Sequence, residues 1–299
     1  MKQYHTPALL QACIDGLQID PSGTYVDATF GGGGHSAAIL KHLQEGHLFG
    51  FDQDDDALKN APENERFTFV HHNFRFLKHF MRFYNVEQLD GILADLGVSF
   101  HHFDTADRGF SFRYDAKLDM RMNQRATLTA EKVINEYAQE ELMEIFRTYG
   151  ELRNARKLAQ VIIQARNKER IELTGQLKEL IAPLFPRKVE NKFLARFFQA
   201  IRIEVNQEIQ ALKSLLIDGT RLLKPGGRFA IITYHSIEDR LVKNYFKSGN
   251  LEGHIKKDFY GNPEVPYKVI TRNVIVPDQD EIEQNPRSRS AKLRIAEKK

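Results

Sequence analysis

The sequence predicts an α/β protein with an open, mainly parallel, doubly wound sheet that an inserted all-helical domain interrupts. Up to Ser99, short apolar strand patterns alternate with helical patterns, which is typical of such a sheet. A run of glycines, Gly31–Gly34, separates the first strand pattern from a helix pattern, as at ligand-binding turns of open α/β sheets. From His101 to about Gln207 the pattern changes: a loop-like, aromatic and charged stretch, Phe103–Asp119, is followed by helical patterns only. A strand pattern returns at Arg228.

Composition and charge describe an ordinary globular chain. Its 299 residues give room for one large domain or for one domain with an insertion. The single cysteine, Cys13, excludes an internal disulfide framework and fits a reducing cytoplasm, where we expect the protein. No run of about 18 apolar residues and no signal-peptide core occurs, so we expect no membrane partner. The net charge of +3 permits an anionic partner without requiring one.

The first helix is predicted to start at Thr6-Pro7, with Thr6 as N-cap and Pro7 at the first helical position. Cys13 falls on its apolar face, so we expect the thiol to pack in the core. That face consists of Leu9, Leu10, Cys13, Ile14 and Leu17.

The first strand, Thr24–Ala28, leads into the glycine run, and Ser36 follows within a helix pattern. A strand, a glycine turn and a helix together bring backbone N–H groups close to a ligand. Glycine is needed because a Cβ would block the tight turn and the ligand's approach. A flexible linker is the alternative, but linkers are not flanked by an apolar strand and an immediate helix. No Gly-Lys-Ser/Thr closes the run, so it is not a Walker A loop.

The second strand, His47–Phe51, ends at Asp52, which lies 19 residues beyond Gly33. An acidic side chain at this spacing accepts hydrogen bonds from ribose hydroxyls in dinucleotide-binding sheets. Alternatively, Asp52 only begins the acidic cluster that caps the next helix. We predict the ribose role for Asp52 and the capping role for Asp54.

The third strand, Phe67–His72, is followed by Asn73 and Phe74. The ring of Phe74, just past the strand's carboxyl end, could stack on an adenine or pack in the core, and the sequence leaves both open. The side chains of His71 and His72 point to opposite faces of a strand, so they are a poor chelating pair. No metal site is predicted.

The fourth strand is predicted within Asp90–Ser99 and delivers Asp95 to the carboxyl edge of the sheet. Ligands of doubly wound sheets bind outside these strand ends, near the point where the strand order reverses. Asp95 should therefore lie beside Asp52 and the glycine turn. A helix or turn cap is the alternative role for Asp95.

Helical patterns fill the next hundred or so residues, which is the size of an inserted domain. We predict a discontinuous sheet domain at residues 1–103 and 207–299, and a helical domain at residues 104–206. The helical patterns are Ala130–Ala138, Glu140–Thr148, Ala155–Asn167, Thr174–Ala182 and Lys192–Leu216.

Part of this helical stretch is basic. It contains two acidic residues, Glu190 and Glu204. The basic residues outnumber them and are Arg187, Lys188, Lys192, Arg196 and Arg202. A basic helix surface is usually only solvated. Together with the aromatic residues of the preceding loop, it also meets the requirements of a nucleic-acid contact.

The sheet resumes at Arg228–Tyr234, after the helix stop and turn Leu223–Gly227. This turn resembles the segment before strand five of many S-adenosylmethionine-dependent methyltransferases. His235 lies at the carboxyl end of that strand. Its imidazole could be a structural group whose hydrogen bonds are all made within the protein, or it could act in the site, and the sequence leaves both open. After the turn signal Asn285-Pro286, we predict a basic loop that runs into a last edge strand, within residues 287–296.

Acidic residues recur around the predicted site, at Asp27, Asp52 and Asp95. A pyrophosphate needs unobstructed helix N–H groups, whereas carboxylates suit a ligand with an ammonium, a sulfonium and no phosphate. The residues therefore favour a methyltransferase that uses S-adenosylmethionine over a nicotinamide-dependent oxidoreductase. A non-catalytic RNA-binding protein would explain the basic surfaces but would leave the glycine turn and the carboxylates without a role.

Seven segments together resemble the MraW family, the bacterial methyltransferases of small-subunit ribosomal RNA. They are Phe30-Gly-Gly-Gly-Gly-His35-Ser36, Asp95-Leu-Gly-Val-Ser99, Arg108-Gly-Phe-Ser-Phe112, Leu118-Asp-Met-Arg-Met122, Phe198-Gln-Ala-Ile-Arg202-Ile-Glu-Val-Asn206, His235-Ser-Ile-Glu-Asp-Arg240 and Asn285-Pro-Arg-Ser-Arg289-Ser. The resemblance implies a class I, Rossmann-like S-adenosylmethionine-dependent methyltransferase sheet with an inserted helical substrate-recognition domain. It also implies methylation of the exocyclic N4 of a cytosine in the decoding region of 16S rRNA.

The resemblance assigns cofactor contacts by motif, to Gly33, Gly34, His35, Asp52, Phe74 and Asp95. The family usually has Ser-Ser-Pro-Gln-Leu-Asp after Asp-Leu-Gly-Val, and this chain has Ser99-Phe-His-His-Phe-Asp104. His102 thus takes the place of the family's glutamine contact. The partner is 16S rRNA or the small ribosomal subunit, and a homodimer is left open.

For the chemistry we expect direct in-line displacement, with Asp95, Ser99 and His235 as the candidate catalytic residues. Phe110 or Phe112 is expected to stack on the target base once it has left its own stack. The expected contacts to the RNA backbone are Arg108, Arg113, Arg202, Arg287 and Arg289.

Overall fold

The computed structural model describes residues 7–97 and 108–299. Ser99 and His102, which the sequence analysis singled out, lie outside the described residues. The chain divides into two compact units, one within Met1–Gly97 and Ile209–Lys299 and the other within Val98–Glu208. The sequence-based division places its boundaries after residues 103 and 206.

The first unit is built on a seven-stranded sheet with the order β3-β2-β1-β4-β5-β7-β6. Neighbouring strands are parallel from β3 to β5, whereas β7 runs antiparallel to both β5 and β6. The strands are β1 (Thr24–Asp27), β2 (His47–Asp52), β3 (Phe67–His71), β4 (Leu89–Asp95), β5 (Leu223–Thr233), β6 (Tyr267–Val269) and β7 (Lys292–Lys298). The predicted α/β class with a mainly parallel sheet is confirmed.

Helices alternate with the first strands and then follow one another in the second unit. In chain order they are α1 (Leu10–Leu17), α2 (Gly34–His42), α3 (Asp55–Leu58), α4 (Leu77–Phe83), α5 (Ala130–Glu136), α6 (Gln139–Thr148), α7 (Ala155–Arg166), α8 (Thr174–Ile181), α9 (Glu190–Asn206), α10 (Glu208–Leu222), α11 (Ser236–Ser248) and α12 (Gln279–Gln284). Short 3₁₀ helices occupy Phe74–Phe76, Ala182–Leu184, Arg187–Val189 and Pro286–Ser290. Within the described ranges, no helix combines the length and the hydropathy needed to cross a bilayer.

The strand order reverses between β1 and β4. The residues that follow β1 form backbone hydrogen bonds both to β4 and to β2. The N–H of Ala28 donates to the carbonyl of Leu93 at 2.8 Å, whereas the N–H of Phe30 donates to the carbonyl of Phe51 at 2.8 Å. This divergence opens the crevice in which open α/β sheets bind ligands.

Both faces of the sheet are covered by buried clusters, because successive side chains of a strand point to opposite sides. Tyr25 packs in the cluster that contains Cys13 of α1, and Val26 packs in the cluster that contains Leu212 of α10. Cys13 is fully buried, which confirms its predicted place in the core.

The second unit is helical, and a single core cluster that includes Leu158 of α7 and Phe197 of α9 holds it together. Among its residues from 108 onward the structure shows no strand, only an isolated bridge between Lys117 and Leu173. The predicted helix Lys192–Leu216 is wrong, because the chain forms α9 and α10 with a break between them. Gln207 at the break adopts φ = 52°, a left-handed conformation that ends a helix.

The start of the first helix was also predicted wrongly. The helix begins at Leu10, and Pro7 precedes it by three residues, while Thr6 lies outside the described part of the chain. Leu9 adopts φ = 52°, and its N–H donates to Oε1 of Glu281 at 2.8 Å. The acceptor for this backbone N–H is therefore the carboxylate of Glu281, far along the chain, whereas the sequence pattern predicted a local N-cap at Thr6.

The last predicted strand is present in the structure as β7, but it is not an edge strand as predicted. β7 is paired on both sides, by β5 and by the three-residue β6, which is too short to give an alternation pattern. The residues before β7 form the 3₁₀ helix Pro286–Ser290 where a basic loop was predicted. The helix stop and turn predicted at Leu223–Gly227 is confirmed in part. The helix α10 ends at Leu222, but Leu223–Gly227 already belong to β5, in which Lys224–Gly227 form a bulge.

Candidate active site

The glycine turn after β1 brings backbone close to the crevice. Gly33 precedes α2 with φ = +77°, and a Cβ there would lie 2.8 Å from the ring of Phe30. That ring is held by Phe67 and Phe69, with centroids 5.3 Å away in both cases. At Gly34 a Cβ would collide with Pro7. Only glycine therefore fits these two positions, and the N-terminus of α2 follows the carboxyl end of β1 by way of this turn.

Asp52 ties the end of β2 to the glycine turn. Its Oδ2 accepts a hydrogen bond from the N–H of Gly31 at 2.8 Å, and its Oδ1 accepts one from the N–H of Asp54 at 2.9 Å. Because a carboxylate offers about four acceptor positions, these bonds are compatible with the predicted contact to ribose. Asp54 accepts from the N–H of Asp56 at 3.1 Å as N-cap of α3, which confirms its predicted capping role.

Phe74 begins the short 3₁₀ helix after β3 and is half-buried against the core on one side of the sheet. The neighbouring Asn73 donates from Nδ2 to Oε1 of Gln53 at 2.9 Å, which joins the ends of β3 and β2. A half-buried ring at this place is compatible with either predicted role, adenine stacking or core packing.

His71 and His72, at the end of β3, have separate partners. Nε2 of His71 lies 3.2 Å from Oδ1 of Asp55, and Nδ1 of His72 accepts from the N–H of Asn73 at 3.0 Å.

Asp95 ends β4 at the crevice, beside the turn that follows β1. Its N–H donates to Oγ1 of Thr29 at 2.6 Å, and its Oδ1 accepts from the hydroxyl of Tyr234 at 2.8 Å. The imidazole Nδ1 of His35 lies 3.9 Å from Oδ2 of Asp95. Burial raises the pKa of the Asp95 carboxyl to about 6, although His35 and Tyr234 oppose that rise. The group is thus a stronger base than an ordinary aspartate.

A second carboxylate, that of the fully buried Asp27, lies at the end of β1. Its Oδ2 accepts from Oγ of Ser36 at 2.7 Å, and its Oδ1 accepts from the N–H of Thr29 at 3.1 Å. Burial raises the pKa of Asp27 to about 6 as well. Asp27 therefore links the strand end to the first turn of α2 and adds negative charge beneath the crevice.

His35 lies in the first turn of α2 and is almost completely buried. Its Nε2 lies 3.1 Å from the carbonyl of Ala8, opposite the ring nitrogen that faces Asp95. The imidazole therefore connects the segment before α1 to the Asp95 carboxylate. Its predicted contact with a cofactor remains a prediction.

Tyr234 is a site residue that the sequence reasoning did not identify. It follows β5, whose Ile232 pairs with Asp95, so the register of two parallel strands brings the phenol to the carboxylate. Burial and the neighbouring Asp95 raise the pKa of the phenol, so that it stays a hydrogen-bond donor. Its position at the carboxyl end of a predicted strand was the signal that could have found it.

His235, the next residue, is the N-cap of α11. Its side chain accepts from the N–H of Glu238, and its Nε2 lies 3.1 Å from Oε1 of that buried glutamate. Glu238 in turn accepts from the N–H of Tyr234 at 3.2 Å. These contacts give His235 a structural role beside Tyr234, and its catalytic role remains a prediction.

Three of the residues predicted to contact RNA have side chains that instead form contacts within the second unit. Arg108 is 9% exposed and donates to the carbonyls of Arg121 and Met122 at 2.8 and 3.2 Å. Phe110 is 5% exposed in the core cluster. Arg202 forms two bonds to the carboxylate of Glu208, at 2.8 and 2.9 Å. This corrects the prediction of surface contacts at these positions, because their side chains stabilise the helical unit instead.

The other predicted contacts of this unit, Phe112 and Arg113, line a groove of about 570 Å³. Phe112 packs against Phe198, with ring centroids 5.5 Å apart, at one side of the groove. The remaining lining residues are Lys178, Asn191, Lys192 and Ala195. Three cations and no acid thus line a groove that also presents an aromatic ring, which is the composition of an anion-binding surface.

Arg287 and Arg289 are exposed on the 3₁₀ helix before β7. The helix is anchored by Ser288, whose buried Oγ donates to the carbonyl of Asn285 at 2.8 Å. Lys292, at the start of β7, pairs with Thr233 at the carboxyl end of β5. The two arginines therefore precede β7 at the same edge of the sheet as Asp95.

The chemistry of the crevice decides which ligand fits it. Phosphates would meet the carboxylates of Asp27, Asp52 and Asp95, whereas a ligand with an ammonium and a sulfonium would be attracted by them. Gly33 and Gly34 make the turn after β1 compact, and Asp52 supplies acceptors at the end of β2. With the reversed β7, this site and this strand order define an S-adenosylmethionine-dependent methyltransferase of the class I fold.

The chain belongs to the MraW methylase family, whose model matches residues 2–299. A relative named ribosomal RNA small subunit methyltransferase H, from Bacteroides fragilis, is 58% identical over 99% of this chain and 98% of its own. Proteins of the same name from Bacteroides thetaiotaomicron and Christiangramia forsetii are 59% and 54% identical, over 99% and 100% of this chain and 98% and 99% of their own. The methyl donor of the protein is S-adenosylmethionine.

Among solved structures, an rRNA methylase from Streptococcus thermophilus aligns with 97% of this chain and 93% of its own. The TM-score is 0.40 and the sequence identity is 13%.

Proposed function

We propose that this protein transfers a methyl group from S-adenosylmethionine to the exocyclic N4 of a cytosine in the decoding region of 16S rRNA. The names of its relatives and the family resemblance of its motifs support this substrate. The observation that carries the chemistry is the partly buried carboxylate of Asp95, which ends β4 at the crevice beside the glycine turn.

The residues that would hold the cofactor are Gly33, Gly34 and His35 at the start of α2, Asp52 at the ribose, and Phe74 beside the adenine. His102 is proposed to supply the contact that a glutamine makes in the family. When bound, S-adenosylmethionine supplies a methyl group on a sulfonium, which is open to in-line attack by a nucleophile.

Cytosine N4 is a weak nucleophile because its lone pair is delocalised into the ring. We assign Asp95 the hydrogen bond from the N4–H group, which becomes stronger as positive charge develops on that nitrogen. The raised pKa of Asp95 makes its carboxylate a better proton acceptor, provided that it is ionised. Ser99 and His235 are proposed to position the base about 3 Å from the methyl group.

Substrate recognition is proposed to involve Phe112, Arg113 and the other cations of the groove in the helical unit. The half-buried ring of Phe112 offers a surface on which an unpaired base of the substrate can stack. Arg287 and Arg289 at the sheet edge are proposed to hold RNA phosphates.

Mapping of the methylated nucleotide tests the proposal. The purified protein is incubated with labelled S-adenosylmethionine and either naked 16S rRNA or small subunits from cells that lack the enzyme. We expect label on the exocyclic nitrogen of one cytidine, which nucleoside mass spectrometry distinguishes from the ring positions. Label on another base, or on a ring carbon of cytidine, would refute the proposed acceptor.

Tyr234→Phe is expected to shift the pH profile of methyl transfer. The phenol donates to ionised Asp95 and lowers its pKa, so its removal should raise that pKa by roughly one unit. The acidic limb of the single-turnover rate should then move to higher pH, with a several-fold loss near pH 6 and little loss above about pH 8. An equal loss at every pH would show that Tyr234 acts only on the fold.

Charge reversal at Arg287 and Arg289 is expected to weaken RNA binding. Two lost phosphate contacts should reduce the slope of log affinity against log salt by roughly 2 and should lower affinity about 10-fold or more at low salt. Filter binding over a salt series measures both. The control is Arg221→Glu, because this exposed arginine of α10 is remote from the carboxyl edge. Unchanged affinity in the double variant would remove the two arginines from the interface.

A further inference from the structure

A hairpin between α11 and β6 presents two aromatic rings to solvent. Phe259 is 98% exposed and Tyr260 is 86% exposed, the highest values for large hydrophobic side chains among the described residues. The hairpin, residues 254–264, is not part of the sheet-edge site. Exposed aromatic rings on a soluble protein commonly mark a surface that contacts a partner.

The two rings are held out by an ordered turn. Oδ1 of Asp258 accepts from the N–H groups of Tyr260 and Asn262 at 2.9 and 2.8 Å, and its Oδ2 accepts from Nδ2 of Asn262 at 3.0 Å. The N–H of Asp258 donates back to the carbonyl of Asn262 at 2.9 Å, and Gly261 adopts φ = +87°. This bonding fixes the direction of the tip, so the exposure of the rings is built into the turn.

Cations accompany the rings. Lys256 and Lys257 are exposed on the segment of the hairpin that leads to Phe259, and within the described residues neither has a carboxylate within 4.0 Å. Residues 254–264 also contain two acids: the carboxylate of Asp258 accepts the hydrogen bonds of the turn, and Glu264 is exposed. The tip therefore combines two exposed aromatic rings with two lysines that form no ion pair among the described residues.

This combination distinguishes between two kinds of partner. Protein interfaces are depleted of lysine at their centres. Surfaces for single-stranded nucleic acid instead combine lysine or arginine with aromatic rings on which successive bases stack. The rings of Phe259 and Tyr260 are at 88° to each other with centroids 5.6 Å apart, so each keeps a face free for a base of its own.

The hairpin is remote from the reaction. It leads into β6, whose Tyr267 pairs with Lys298 at the end of β7, whereas Lys292 at the start of β7 pairs with Thr233 at the carboxyl edge. The seven residues of β7 separate the two edges by roughly 20 Å. A contact at the hairpin can therefore affect binding of a large substrate without affecting the transfer step.

We propose that the hairpin of residues 254–264 is a second RNA contact, in which Phe259 and Tyr260 stack on unpaired bases of the substrate and Lys256 and Lys257 hold the adjoining phosphates. The inference rests on the proposed function for the identity of the RNA. It adds a binding element that is separate from the glycine turn, the carboxylates and the basic groove.

The chain has no tryptophan, so Tyr260→Trp introduces a single fluorescent reporter at the tip. Because a base stacked on indole quenches its emission, titration with a single-stranded oligoribonucleotide and with 16S rRNA should lower the emission of this variant. The matched control is Phe83→Trp, since Phe83 is 74% exposed at the end of α4 and its ring contacts Tyr84. Equal emission changes in the two variants, or none in either, would overturn the proposal.

Kinetics supply the second measurement. The double variant Phe259→Ala/Tyr260→Ala should raise the KM for RNA by about 5- to 100-fold, the loss expected for one or two stacked bases, and should leave kcat unchanged. A rise in KM for assembled subunits alone, without quenching by RNA, would overturn the proposal in favour of a ribosomal protein. If the wild-type protein did not methylate RNA, the proposed function would be refuted. The fluorescence quenching of Tyr260→Trp would still show whether the hairpin binds RNA.

Discussion

Replacement of Asp95 by asparagine is expected to lower the single-turnover rate of methyl transfer by roughly 10²- to 10⁴-fold. Asparagine has nearly the same shape and keeps an oxygen to accept the bond from Tyr234, so the crevice should retain its structure. It carries no negative charge and is a poor proton acceptor. The variant therefore removes stabilisation of the charge that develops on the nucleophilic nitrogen.

Asp90→Asn is the matched control, because Asp90 lies on the same strand at the opposite edge. Its carboxylate accepts from the N–H of Thr24 at 2.9 Å and pairs with Lys224, so the change should cost some stability but little activity. Rates are measured at saturating cofactor with rapid quenching, since Asp95 is also a proposed cofactor contact. A rate for Asp95→Asn within about threefold of the wild type would exclude the proton-acceptor role, since that role predicts far more.

The pH dependence of the wild-type enzyme follows from the same carboxylate. Asp95 has its pKa raised to about 6 by burial, and only its ionised form can accept the proton. The transfer rate should therefore rise with pH through about 6 and then level off. Asp95→Asn should lack this limb.

Asp52→Ala is expected to weaken binding of S-adenosylmethionine by roughly 10- to 100-fold, which corresponds to about 1.4–2.7 kcal/mol. The change removes the proposed contacts to ribose and also the acceptor that holds the N–H of Gly31 at 2.8 Å. Isothermal titration calorimetry measures the affinity directly. NAD should not bind either protein, because its phosphates would face the carboxylates of the crevice.

The control for this experiment lies two residues further along the chain. Asp54→Ala removes the N-cap of α3 and should cost about 1 kcal/mol of stability without reducing cofactor affinity. Asp52→Asn keeps one oxygen for Gly31 and should fall between the alanine variant and the wild type. Equal cofactor affinities for Asp52→Ala and Asp54→Ala would contradict a ribose contact at Asp52.

The positions of the strand ends were predictable from the sequence. An apolar run of a few residues that stops at an aspartate predicts both a buried strand and the edge on which its last side chain lies. Asp52 and Asp95 were located in this way, and both end their strands in the structure. Local signals sufficed because strand length, the glycine turn and the alternation of faces depend only on neighbouring residues.

Strand pairing at the far side of the sheet was not predictable in the same way. β7 was recognised as a strand, but its partners depend on β6, which has three residues and no alternation to detect. The break at Gln207 likewise has no glycine or proline to signal it. In both places the conformation is decided by packing against distant parts of the chain.

The sequence by itself determined the fold class, the glycine turn and the carboxylates at the strand ends, because backbone sterics and the periodicity of burial are local. Only the tertiary structure decided which side chains meet. Tyr234 reaches Asp95 across 139 residues of chain, and the cation of Arg108 turns inward to backbone carbonyls. Composition predicts a charge but not its partner, because a buried polar group takes whichever donor or acceptor the packed chain brings within about 3 Å.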